Sequence, residues 1–139
     1  MGKLSGWCLQ CAIVLAFLVP GTPVQADEAK WLKLKDVTHE VRDEQEAVCV
    51  QLSRTFFPEA RVLTKEPPPR VFFDLKPVRS YSGKNRIEVD SGLVDTIRIG
   101  WHAEQFVRVV VDLKEDIPFE TSWRLSVPEN RYCLQLEPK

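Results

Sequence analysis

The stretch Arg108-Val-Val-Val-Asp-Leu-Lys114 decides the fold, because a near copy of it occurs earlier in the chain. The earlier copy, Arg70-Val-Phe-Phe-Asp-Leu-Lys76, differs only in two phenylalanines that replace valines. Both copies predict β-strands, since branched and aromatic residues dominate and neither contains glycine or proline. Successive side chains of a strand point to opposite faces. Each copy therefore has one apolar face and one face with an arginine and an aspartate four residues apart.

A shorter strand with its own arginine precedes each copy, at Ala60-Arg-Val-Leu63 and at Thr96-Ile-Arg-Ile99. The repeated unit is thus a hairpin that the chain uses twice. Closely spaced short strands, alternating apolar residues and prolines between the apolar runs predict an all-β fold. We expect an antiparallel two-sheet β-sandwich in which the two sheets are related by approximate internal symmetry.

Length and charge limit the classes of protein to consider. A chain of 139 residues suits a single domain. Its 19 lysines and arginines are balanced by 20 aspartates and glutamates. Binding to nucleic acid requires a clustered excess of positive charge, so this composition argues against nucleic acid as a partner.

The N-terminus predicts export. An apolar run at residues 11–20 follows Lys3, and Val24 and Ala26 occupy the −3 and −1 positions of a cleavage site. We therefore expect residues 1–26 to be a cleaved signal peptide and residues 27–139 to be one domain with no membrane span. The alternative is an uncleaved anchor, although the run is short for crossing a bilayer.

Two cysteines, Cys49 and Cys133, remain after such a cleavage. Alternation within residues 48–52 and 132–136 places both of them on the face opposite the apolar side chains. Exported proteins encounter an oxidising compartment, where cysteine pairs tend to join. We therefore predict a disulfide across the outer face of two neighbouring strands. Two free thiols are the alternative.

Catalytic and metal-binding patterns are hard to find. The two histidines, His39 and His102, lack the local signatures of a metalloprotease or a nucleophile elbow. Cysteine and histidine spacings do not fit a zinc site, and no glycine-rich phosphate loop occurs. The sequence predicts no catalytic residue, no metal and no cofactor.

The repeated arginines and aspartates have two interpretations. They could form an Arg–carboxylate ladder on a solvated sheet face, with each pair contributing less than about 1 kcal/mol. They could instead form a recognition surface, because guanidinium groups suit carboxylates and sugar hydroxyls. Aromatic residues could stack on sugar rings, although each is more often core or turn filler. Trp101 is the hardest to explain as core, because the sequence places residues 101–104 in a turn.

Three segments resemble the AMIN domain: Arg70–Leu75 with its preceding prolines, Val94–Gly100 and Phe106–Leu113. That domain is found at the N-terminus of bacterial N-acetylmuramoyl-L-alanine amidases and in the secretins of type IV pili. The resemblance covers about residues 31 to 137. It implies a pseudo-symmetric two-sheet sandwich in the periplasm that binds peptidoglycan. The positions that match the family pattern are Arg70, Asp74, Arg98, Arg108 and Asp112.

The resemblance leaves two functions open. The first is a non-enzymatic module that binds peptidoglycan through an outer sheet face made by the matching residues and Trp101. The second is a protein–protein assembly module of a secretin, pilus or division machinery, which would use the same face or an exposed edge strand. We expect no hydrolase activity, because the sequence after the domain is too short for a zinc amidase module.

Overall fold

The computed structural model describes residue 16 and residues 30–139. Apart from residue 16, the predicted signal peptide lies outside the described residues, and so does its cleavage site. Among the residues that are described, no helix is long and apolar enough to cross a membrane.

The described part of the chain is built from ten β-strands. They are β1 (Leu32–Arg42), β2 (Gln45–Leu52), β3 (Ala60–Leu63), β4 (Arg70–Leu75), β5 (Val78–Ser80), β6 (Arg86–Glu88), β7 (Val94–Ala103), β8 (Phe106–Leu113), β9 (Phe119–Ser126) and β10 (Arg131–Pro138).

These strands form two five-stranded sheets. The strand order is β5-β1-β2-β10-β9 in the first sheet and β3-β4-β8-β7-β6 in the second. All pairings are antiparallel except a short parallel one between β1 and β5, where Leu32 lies beside Val78. The predicted two-sheet sandwich is therefore confirmed.

The two sheets share one plan. In the first sheet, the hairpins β1–β2 and β9–β10 meet through their second strands, β2 and β10. In the second sheet, the hairpins β3–β4 and β7–β8 meet in the same way through β4 and β8. This equivalence confirms the approximate symmetry. The duplicated heptapeptides, however, both lie in the second sheet, so the duplication relates the two halves of one sheet and not the two sheets.

The core lies between the sheets and consists of their inward-facing side chains. Alternation holds along β8, where every second residue is buried from Val107 to Leu113. Burying each such side chain stabilises the fold by about 1.5–3 kcal/mol. The largest fully buried members are Tyr132, Phe73, Leu32, Leu52, Leu75, Ile97, Leu113, Leu134 and Leu136.

The disulfide joins β2, the central strand of the first sheet, to its neighbour β10. Cys49 on β2 lies directly opposite Cys133 on β10, with the two Cα atoms 4.0 Å apart, and their sulfur atoms are bonded. The predicted pairing is confirmed, and so is its place on the outer face. Both cysteines are nevertheless buried there, in a small cluster with Ala47.

We predict that reducing this disulfide will lower the free energy of unfolding by about 2–5 kcal/mol, because the bond closes a loop of 84 residues in the unfolded chain. Urea denaturation with and without reductant measures the effect. The double variant Cys49→Ala with Cys133→Ala is the control, since reductant should not change its midpoint. An unchanged midpoint for the native protein would contradict the prediction.

A buried glutamate connects the first sheet to the turn that leads into β7. Glu46 on β2 accepts a hydrogen bond from the backbone N–H of Leu93 at 2.5 Å and another from the hydroxyl of Ser91. His39 Nε2 lies 2.7 Å from the same carboxylate. Burial raises the pKa of Glu46, but the hydrogen bonds from Ser91, His39 and Leu93 outweigh it, so the pKa lies below its ordinary value of 4.5.

This lowered pKa predicts a loss of stability in acid. As the pH falls, the unfolded chain takes up the proton first. The stabilisation is therefore complete above the unfolded pKa and is lost as the pH falls through the folded pKa. Urea denaturation between pH 7 and pH 3 should show this loss. In Glu46→Gln this pH-dependent stabilisation should be absent, and the free energy of unfolding at pH 7 should fall by about 1–3 kcal/mol. Parallel pH profiles for the two proteins would refute the assignment.

Candidate functional site

The outer face of the second sheet carries the repeated polar residues on the adjacent strands β4 and β8. Because the two copies run antiparallel, the register places Arg70 directly opposite Asp112 and Arg108 directly opposite Asp74. The pairing thus brings together the arginines and aspartates that the sequence singled out. Phe72 and Val110 lie opposite each other between these two Arg–Asp pairs.

Arg108 forms the ion pair that the register predicts. Its Nε donates to Asp74 Oδ1 at 2.8 Å and its Nη2 to Asp74 Oδ2 at 3.1 Å. The guanidinium also lies 4.4 Å from the ring centre of Phe72 and 5.6 Å from that of Phe106. These hydrogen bonds raise the pKa of Arg108, and the arrangement fixes the plane of the guanidinium.

Asp112 does not pair with Arg70. It accepts two hydrogen bonds from Arg98 on β7, from Nε at 2.6 Å and from Nη2 at 3.0 Å. These bonds raise the pKa of Arg98. Within residues 30–139, the side chain of Arg70 makes no hydrogen bond and no ion pair, although the residue is half-buried. The interpretation as a regular Arg–carboxylate ladder is therefore wrong at this rung, because a neighbouring strand supplies a better-placed arginine.

The three arginines line one groove of about 420 Å³. We call it the arginine groove, and its lining consists of Leu63, Arg70, Phe72, Arg98, Ile99, Gly100, Trp101, His102, Arg108 and Val110. No aspartate or glutamate belongs to this lining, since Asp74 and Asp112 lie beside it and are largely covered. The groove is thus lined by positive and apolar groups.

Gly100 keeps the groove open. It lies directly opposite Arg108, and a Cβ atom added there would meet nothing within 4 Å. None of the described glycines has a positive φ, so another residue could occupy this position without backbone strain. A glycine inside a strand often marks a close approach of a ligand or of another backbone.

Trp101 and His102 lie in β7, so the predicted turn at residues 101–104 is wrong. The hairpin continues to the pair Ala103 and Phe106, and only Glu104 and Gln105 connect the strands. Gln105 adopts a φ of 66°, in the left-handed region that such a tight connection requires. Trp101 is half-exposed at the border of the groove, even though its register opposite Val107 assigns it to the inner face.

The other aromatic residues of the chain have different surroundings. Tyr132 lies in the core, where burial raises its pKa to about 12. Trp123 contacts Phe57, with ring centres 4.5 Å apart. Sequence reasoning missed Phe72 and Gly100 as members of the groove. The outward parity of Phe72 and the glycine within an otherwise apolar strand were the signals for them.

A larger cleft, of about 590 Å³, lies at the side where the edge strands β3 and β9 meet. Its lining is Val62, Thr64, Pro67, Pro69, Glu115, Asp116, Ile117, Pro118, Phe119, Thr121 and Lys139. Its volume exceeds that of the arginine groove. The arginine groove is the better candidate because three guanidinium groups converge on it, whereas the larger cleft has a single cation beside two carboxylates.

The fold and the groove define a two-sheet β-sandwich with a groove of positive and apolar groups on the outer face of one sheet. The family model of the AMIN domain matches residues 39–135, and the chain belongs to this family. A search of curated proteins found no match. The matched range contains both copies of the repeat and all the residues that pair across the groove.

The pairing predicts different stabilities for two arginine variants. Arg108→Ala should lower the free energy of unfolding by about 1 kcal/mol, because it removes two hydrogen bonds and a cation–π contact at a partly exposed site. Arg70→Ala should change it by less than about 0.5 kcal/mol. Urea denaturation of both variants tests this difference. Equal destabilisation would show that Arg70 has a structural partner.

Proposed function

We propose that the protein is a periplasmic, non-enzymatic module that binds peptidoglycan through the arginine groove. The observation that carries the proposal is the convergence of Arg70, Arg98 and Arg108 on a groove that no carboxylate lines. Guanidinium groups suit carboxylates and hydroxyl groups, and peptidoglycan contains both. Trp101, half-exposed at the border, supplies a flat apolar surface.

Asp74 and Asp112 act in this proposal as positioning residues. Each holds one guanidinium through two hydrogen bonds, so that the group is ordered before a ligand arrives. Sites on the strands of a scaffold are held more rigidly than sites on loops. Ordering the guanidinium groups in advance reduces the entropy that binding must remove.

Family membership supports the same function. AMIN domains bind peptidoglycan or machinery of the envelope, are typically periplasmic and are non-catalytic. The disulfide between Cys49 and Cys133 suits an oxidising compartment and therefore supports export. His39 lies against Glu46, and the ring of His102 lies 5.3 Å from that of Phe106, so we assign neither a catalytic role.

The test is retention of the purified protein by isolated peptidoglycan sacculi. The native protein should sediment with the sacculi, and Arg70→Ala should weaken binding at least about tenfold, because a charge-assisted hydrogen bond contributes about 1.5–3 kcal/mol. Arg124→Ala is the matched control, since it removes an exposed arginine from the first sheet. If the native protein is not retained, the proposal is refuted.

An exposed edge strand favours a second candidate function, assembly with an envelope protein. β9 lies at the edge of the first sheet, is eight residues long and carries the exposed Trp123. An edge of this kind can pair with a strand of a partner. Crosslinking in the native envelope tests this candidate, and capture that depends on β9 while sacculi fail to bind would favour it over wall binding.

A further inference from the structure

Resting on the proposed function, we further propose that the arginine groove recognises the free carboxylates of the wall's peptide stems and not its sugar chain. The ligand class is a peptide carboxylate flanked by short aliphatic groups. Three features of the groove carry this inference: unused donor pairs, an unbalanced charge and apolar walls.

The first feature is the set of donors that the ion pairs leave unused. A guanidinium has five N–H groups in a fixed plane. Arg98 and Arg108 each donate to their aspartate from Nε and from Nη2. Each therefore retains a second fork of N–H groups, on Nη1 and Nη2, at the end of the group that faces away from the aspartate. A fork of this shape matches the two oxygens of a carboxylate.

The second feature is charge. The three arginines of the groove lining and the two aspartates that pair with Arg98 and Arg108 leave one positive charge in the groove, and the side chain of Arg70 carries it without an ion pair among residues 30–139. Asp112 lies directly opposite Arg70, but both of its oxygens accept hydrogen bonds from Arg98. A sugar hydroxyl would leave this charge unbalanced, whereas a carboxylate would balance it through charge-assisted hydrogen bonds that are roughly twice as strong.

The third feature is the apolar part of the lining. Leu63 lies opposite Arg70 on β3, and Phe72 lies next to Arg70 along the outer face of β4. Val110 completes the apolar floor between Arg70 and Arg108. Small aliphatic groups next to a carboxylate, as in an amino acid with a short side chain, would contact these residues. The hydroxyl groups along the edge of a sugar ring would make poor contacts with these apolar side chains.

The experiment measures competition for sacculi with three soluble probes. The probes are the stem peptides released from the same sacculi, those peptides with their carboxylates converted to methyl esters, and oligomers of N-acetylglucosamine without peptide. We expect the free peptides to displace the protein, the esters to be at least about tenfold weaker, and the sugar oligomers to have no effect. Displacement by the free peptides should also weaken as salt is raised, because the donors are partly exposed.

Two variants separate this inference from effects on folding. Gly100→Phe keeps every charge but places a ring beside Arg108, so sacculi should no longer retain this variant although the protein stays folded. Arg70→Lys keeps the charge but loses the planar fork, so its affinity for the free peptides should lie between those of the native protein and Arg70→Ala. The urea midpoints of both variants should not fall below that of the native protein.

The outcomes distinguish the two proposals. If sacculi retain the protein and the sugar oligomers displace it as well as the free peptides do, the carboxylate inference is overturned and wall binding stands. Equal displacement by the esters and the free peptides would overturn it in the same way. If sacculi do not retain the protein at all, the proposed function fails, and the inference about the wall's peptide stems fails with it.

Discussion

The pairing of β4 with β8 is the interaction on which the rest of the structure depends. Two copies of one heptapeptide meet antiparallel, so the arginine of each copy faces the aspartate of the other. The same pairing aligns Val71 with Val111 and Phe73 with Val109 on the inner face. A shift of one strand by one residue would turn the core side chains of that strand towards the solvent. The same register therefore sets the core on the inner face of these strands and the arginine groove on their outer face.

The two sheets use the same strand plan for different purposes. At the centre of the first sheet, a covalent bond joins facing cysteines that are buried on the outer face. At the centre of the second sheet, reversible ion pairs occupy the corresponding strands and stay partly exposed. A disulfide has no remaining capacity to bind a ligand, whereas an arginine held by an aspartate still has donors to offer. The first sheet thus carries the covalent cross-link, and the second carries the surface we propose for recognition.

Broken symmetry creates the unpaired charge of the groove. Arg98 on β7 lies opposite Val110, and its counterpart on β3, Arg61, lies opposite Phe72 in the same relation. Arg98 binds the aspartate of its half of the sheet, whereas the side chain of Arg61 makes no hydrogen bond or ion pair within residues 30–139. If Arg98 left Asp112 free, as Arg61 leaves Asp74, Arg70 could pair with the aspartate that it faces. The ion pair between Arg98 and Asp112 therefore leaves the guanidinium of Arg70 available to bind an anion.

The sequence by itself determined most of the strand segments, though not the end of β7, and which of their side chains point outwards, because the two-residue alternation of a strand is a local property. It also placed Cys49 and Cys133 on outer faces, and the chemistry of export then indicated their bond. Only the tertiary structure decided that both repeats lie in one sheet, that Arg98 binds Asp112 and that Gly100 leaves space beside an arginine. These outcomes depend on contacts between residues far apart in the chain. Alternation fixes the face of each side chain, but the order of strands in a sheet fixes its neighbours.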